Sequence, residues 1–272
     1  MASRSTARAD AAAGIAPPLG ATDRLRIAAR IAMMVLAAAI AVPLHYLWRL
    51  LRLRSPWPRR FLGIVGRICG ARIRRVGVPL GRDVFYVSNH LSWIDILAIG
   101  GTSGSAFVAK AEIGDAPIVG WLSTLNRTVF VSREDRLAVS GQIDRLRDAL
   151  ADNWAITVFP EGTTTDGKSL LPFKTSMLKV LEPPPPGVRV QPIMLDFGAA
   201  AEEIAWIGVE TGKDNALRVL ARPGNFRVDV HFLDPLDPQE FPGRKAIAAE
   251  SRRRITEALE RVNGQPLRPF AY

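Results

Sequence analysis

Val84-Phe85-Tyr86-Val87-Ser88-Asn89-His90-Leu91-Ser92-Trp93-Ile94-Asp95 carries a short apolar run straight into a His and an Asp. The run Val84-Phe85-Tyr86-Val87 is β-branched and aromatic, which reads as a buried strand. Ile96-Leu97-Ala98-Ile99, bounded by Gly100-Gly101, reads as a short helix with a glycine stop. His90 therefore stands where a strand ends and a helix begins, the place where open α/β sheets collect their chemistry. His90 and Asp95 are five residues apart, an awkward spacing if both lie mid-helix. With His90 just outside the helix, its ring can fold back towards Asp95. The carboxylate then accepts from one ring nitrogen and leaves the other as a base. A surface His beside an Asp favoured by the helix macrodipole satisfies the same spacing.

Outward from this stretch the pattern alternates. Candidate strands are 84–89, 106–110, 128–132, 155–159, 188–195 and 226–232. Between them, 134–152 reads as a helix with Val139, Ile143, Leu146 and Leu150 as its apolar stripe. Pro183 to Pro186 is a rigid break, and 245–262 reads as a final charged helix. Alternation of this kind predicts an α/β catalytic domain over residues 79–272, a mostly parallel or mixed central sheet flanked by helices.

The N-terminal part is different. Residues 1–24 have no apolar period and are expected to be disordered. Residues 25–78 read as a membrane-associated helical segment. From Ile31 to Trp48 no residue carries a full charge, roughly the length that crosses a bilayer core. Pro43 is expected to kink or end that helix, and Tyr46 and Trp48 fall where an interfacial belt would lie. A spanning or a re-entrant helix fits, a buried soluble helix competes, and a cleaved signal peptide is opposed by the Arg block that follows. That block, Arg49 to Val76, holds nine Arg and no acidic residue within a net charge of +10. Mixed with Leu, Trp57 and Phe61, it reads as an interfacial amphipathic helix meeting anionic membrane lipids. A nucleic-acid partner is not expected, because no recognisable module accompanies the basic patch. The positive flank points to the inner (cytoplasmic) membrane with the catalytic domain on the cytoplasmic side. The lone Cys69 excludes an internal disulfide framework, and three His with one Cys argue against a structural zinc site.

Asn89-His90 with Asp95, Val129-Phe130-Val131-Ser132-Arg133, Phe159-Pro160-Glu161-Gly162-Thr163 and Val190-Gln191-Pro192-Ile193 occur in that order. Together they resemble the four motifs of the glycerolipid acyltransferases, the lysophosphatidic acid acyltransferase family, over about residues 80–235. The resemblance implies transfer of an acyl group from acyl carrier protein or acyl-CoA to the sn-2 hydroxyl of 1-acylglycerol 3-phosphate. His90 would be the general base and Asp95 would orient it; nothing marks Ser92 as a nucleophile. Arg133 would hold the acceptor phosphate, whereas without the family a local ion pair serves as well. Glu161, Gly162 and Thr163 would line the acceptor site, with Lys110 and Lys174 as further basic positions that also read as solvated charges. Arg127 stands where the family usually has glycine. No metal or redox cofactor is needed. Thr163-Thr164-Thr165-Asp166-Gly167 and the Val-Gln-Pro-Ile motif also resemble the lyso-ornithine lipid acyltransferases, a rival enzyme reading. A non-catalytic membrane lipid-binding protein is the rival of another class.

Overall fold

The run at Val84–Ser88 lacks polar alternation because it becomes a strand covered on both faces. The computed structural model describes residues 4–115, 117–131, 148 and 155–270. Among them, one sheet is built from β1 (Ala71–Val76), β2 (Val84–Ser88), β3 (Ala106–Lys110), β4 (Val129–Val131), β5 (Ala155–Val158), β6 (Arg189–Asp196) and β7 (Phe226–Phe232). Their spatial order is β1-β7-β6-β2-β5-β3-β4. β2 pairs in parallel with β5 (Val84↔Ala155 to Val87↔Val158) and with β6 (Val84↔Arg189 to Ser88↔Ile193). β3 is parallel to β5 and β4, whereas β7 is antiparallel to β6 and β1 is parallel to β7. The chain thus leaves β2 to one side and returns to its other side at β6. That switch puts the carboxyl ends of β2, β5, β3, β4 and β6 on one edge.

The helices are α1 (Arg4–Ala12), α2 (Ala21–Leu50), α3 (Trp57–Ile68), α4 (Ile94–Ser103), α5 (Ala111–Gly114), α6 (Pro117–Leu125), α7 (Ala201–Ile204), α8 (Gly212–Ala221) and α9 (Arg244–Asn263). On one face of the sheet, Val84, Tyr86, Val228 and Val230 pack with Val65 of α3 and Leu97 of α4. On the other face, Phe85 and Val87 pack with Leu178 and Leu181 of a 3₁₀ turn and Ile247 of α9. The result is the layered α/β architecture the alternation predicts.

Several expectations are corrected. Gly100-Gly101 does not stop α4, which runs to Ser103 and ends on Gly104 at φ +73. The pair instead lets α3 and α4 approach closely: a Cβ on Gly101 would lie 2.9 Å from Gly63 Cα. The Arg block is not one helix. It is helical over α3 and then forms edge strand β1, where Ala71 and Ile73 turn inward and Arg72 and Arg74 outward. Arg74 binds Asp229 on β7 with Nε–Oδ1 3.0 Å and Nη2–Oδ2 2.5 Å, so it neutralises a buried carboxylate. Alternation over six residues is easily hidden by arginine-rich composition.

The disorder expected over residues 1–24 also fails where the chain is described. α1 lies against the segment after α7, with Val209 N–H donating to Ala12 O at 3.0 Å. Pro43 does not end α2, which continues to Leu50. One face of α2 is docked throughout: Ile27, Arg30, Ala41 and His45 are buried. Arg30 Nη1 donates to the carbonyls of Val219 (3.2 Å) and Leu220 (2.9 Å), and Arg26 to that of Ala221. These are the last carbonyls of α8, where cations are favoured. His45 Nδ1 lies 2.9 Å from Ser55 Oγ at the far end. The outer face carries Ile31, Met33, Val35, Leu36, Ile40, Tyr46 and Leu47, all exposed. Of the helix expected at 134–152 only residue 148 is described, in helical conformation; the rest lies outside the described residues.

Gly101→Ala is expected to force α3 from α4 and to cost about 1–3 kcal/mol. Gly81→Ala, in open space, is the control. Chemical denaturation reads both, and equal stability would show that the helix pair tolerates a methyl group.

Candidate active site

The chain turns out of β2 at Asn89. Its side-chain amide pairs with the backbone of Leu195 on β6, Nδ2 to O at 3.1 Å and Leu195 N to Oδ1 at 2.7 Å. A side chain thereby continues the ladder while the backbone departs. His90 follows, and α4 begins at Ile94. His90 Nδ1 lies 2.7 Å from Asp95 Oδ2, which also accepts the N–H groups of Leu91 (2.6 Å) and Ser92 (3.0 Å). Asp95 is wholly buried, whereas the His90 side chain keeps 19% of its surface. An ionised oxygen already receiving two amides makes Nδ1 the protonated nitrogen. The lone pair is then on Nε2. The ring stacks on Phe159, centroids 4.1 Å apart and planes 17° from parallel.

A second loop, after β5, grips the His90 backbone from both sides. Glu161 Oε1 accepts His90 N–H at 2.8 Å, and Thr165 N–H donates to His90 O at 2.8 Å. Glu161 is only 1% exposed, and its other oxygen accepts Leu171 N–H at 2.9 Å. Burial pushes its carboxyl up to about 8, against the amides of Leu171 and His90, which favour the ionised form. Glu161 therefore sits as a brace beneath His90, not at an open hydroxyl-binding position. Gly162 takes φ +74 in the turn, and Thr163 is exposed. Lys174 has an exposed side chain and donates its N–H to Pro160 O at 2.8 Å. Lys110 ends β3 in register with Val131 of β4, on the same edge. Arg133 lies outside the described residues. Arg127 has φ +57, so it takes up the left-handed backbone that glycine adopts without strain. Ser92 is fully buried, so it cannot meet a substrate carbonyl.

A third group came without warning from the sequence. Trp93 Nε1 donates to Asn215 Oδ1 at 3.0 Å; Asn215 Nδ2 donates to Glu210 Oε2 at 2.9 Å, which also takes Arg218 Nη2 at 2.9 Å. Trp206 N–H donates to Leu91 O at 2.9 Å. The insertion between β6 and β7 thus holds the His-Asp loop from its far side. Its cue was a run of Trp, Asn, Glu and Arg between two strands, which composition alone leaves as surface. Phe159 and Thr165 sat within or beside a quoted motif, yet their contacts to His90 depend on how β2 and β5 pair.

An oriented imidazole at the carboxyl edge of a sheet can deprotonate a hydroxyl, and among the described residues the neighbouring Ser92 is buried. Fold and site define an acyltransferase of this kind, and comparison with known proteins agrees. Residues 72–196 match the family described as Acyltransferase. The chain is 33% identical to a lyso-ornithine lipid O-acyltransferase of Brucella abortus, over 87% of this chain and 94% of that one. It is 32% identical to another from Rhodobacter capsulatus, over 83% and 87%. The crystal structure of the 1-acyl-sn-glycerophosphate (LPA) acyltransferase PlsC from Thermotoga maritima superposes with a TM-score of 0.64 at 21% identity, over 89% of this chain and 98% of that one, a likeness of fold. The chain belongs to the Acyltransferase family, together with the lyso-ornithine lipid O-acyltransferases it matches over most of their length.

Glu161 makes stability depend on pH. Between its ordinary value of 4.5 and about 8 the folded state keeps a proton that the unfolded state releases. Its contribution is full at the acid end and is lost as pH rises through 8. The stability gap between wild type and Glu161→Gln should therefore narrow from about pH 5 to about pH 9. Urea titrations measure it; a gap constant with pH would place the carboxyl at an ordinary value.

Proposed function

We propose that this protein is a membrane-bound lyso-ornithine lipid O-acyltransferase. The observation that carries the chemistry is His90 Nδ1 held 2.7 Å from a buried Asp95 oxygen. His90 Nε2 removes the proton of the acceptor hydroxyl as its oxygen attacks the acyl thioester. The tetrahedral adduct collapses, the C–S bond breaks, and the imidazolium returns its proton to the departing thiolate. The products are an ester and a free thiol, so no enzyme acyl intermediate is required.

The choice of acceptor rests on the relatives, which are named for lyso-ornithine lipid and align over nearly their full length. The order of preference drawn from the motifs alone is thereby reversed. The second reading, a 1-acylglycerol 3-phosphate acceptor giving phosphatidic acid, is supported by the motif resemblance; His90 and Asp95 serve both. Arg133, two residues beyond the end of β4, and Lys174 are the cations we assign to the acceptor headgroup. The acyl donor is acyl carrier protein or acyl-CoA. Membrane attachment is supported by α2, which is long and apolar enough to cross a bilayer. Its docked inner face and apolar outer face favour lying in one leaflet, with the catalytic domain on the cytoplasmic side.

Purified protein in detergent, given labelled acyl donor with either lysolipid, should acylate lyso-ornithine lipid. His90→Ala should lower transfer by at least about 100-fold. Product from 1-acylglycerol 3-phosphate alone would overturn the acceptor assignment, and normal turnover by His90→Ala would remove the base.

A further inference from the structure

α9 lies outside the region matched to the acyltransferase family, yet one of its side chains reaches the site. Arg252 donates from Nε to Leu171 O at 3.1 Å and from Nη2 to Leu170 O at 2.8 Å. The N–H of Leu171 donates to Glu161, whose other oxygen holds the N–H of His90. We propose that Arg252 is a positioning residue for acyl transfer: it fixes the Leu170-Leu171 peptides, which aim Glu161, which sets the backbone carrying the His90 ring. The inference rests on the reading of His90 as the base.

Three observations carry it. First, residues 171–174 have no regular structure, so their bonds to other segments determine their shape. The anchors are Glu161 below, Pro160 O at Lys174, and Arg252 from α9. Second, a planar guanidinium spans two successive carbonyls with fixed geometry, which an ammonium cannot reproduce. Third, Arg252 acts on the charge of Glu161 as well as on its neighbour, favouring the ionised form, while Asp95 acts in the opposite direction. Arg254 on the same helix shows a plainer role: it bonds Glu250 and the carbonyl of Asp234, away from the site.

The test is steady-state kinetics with lysolipid and acyl donor on Arg252→Met, Arg252→Lys and Arg254→Met, with His90→Ala alongside and Tm recorded for each. Both Arg252 variants should lose about tenfold or more in kcat while acceptor KM stays within about twofold. Arg254→Met should match wild type in kcat whatever its change in Tm. Arg252→Lys keeps a donor and the aliphatic stem, so it addresses the case in which the Met variant does not fold. A folded Arg252 variant with wild-type kcat, beside an inactive His90→Ala, overturns this inference and leaves the base intact. An active His90→Ala would instead remove the reading on which the inference stands.

Discussion

One buried oxygen organises the structure. Asp95 Oδ2 collects the His90 ring and the amides of Leu91 and Ser92. A carboxylate with no exposed surface is costly unless its lone pairs are matched by donors. Here the donors to Oδ2 come from the turn that leads from β2 into α4, so the interaction that offsets burial also shapes the turn, while Oδ1 has no hydrogen-bond partner among the described residues. The carboxylate lies in the first turn of α4, where the helix dipole favours negative charge. Because the ring is bound to an oxygen that cannot move, the position of α4 sets the position of the base. That position follows in turn from the close glycine contact with α3.

The fold was legible where burial imposes a simple pattern. β2, β5 and β6 are sheathed on both faces and read as apolar runs. β1 was not legible, because its inward positions are only Ala71 and Ile73 among arginines. Charge dominated a period-two signal that only pairing with β7 reveals. The His–Asp pair was legible because its chemistry and spacing lie in one short stretch. Glu161 was found, but its role was not: whether a carboxylate faces solvent or a neighbouring loop depends on strand order. The same holds for Thr165, Phe159 and Asn215, which meet the His90 loop only after β5 and the insertion before β7 fold against it.

The site divides its labour. With His90 as the base, as proposed above, the reacting part would be small and any hydroxyl presented to it would be handled alike. Recognition of the headgroup must come from elsewhere along the edge, where β3 and β4 end near Lys110 and Val131. The supporting part is larger. The loop after β5 and the insertion hold the His90 turn by hydrogen bonds, and α9 in turn holds that loop. Acceptor preference and catalytic competence could then vary independently.

The docking of α2 has a mechanical meaning. Its arginines cap α8 at one end and His45 meets Ser55 near the other, so anchor and body move as one piece. α8 also carries Asn215, which holds Trp93 in the catalytic turn. With α2 lying in a leaflet, as proposed above, this docking leaves no hinge between anchor and body: His90 would change height only as the whole molecule moves, and the depth at which a lipid presents its hydroxyl would become a criterion of selection.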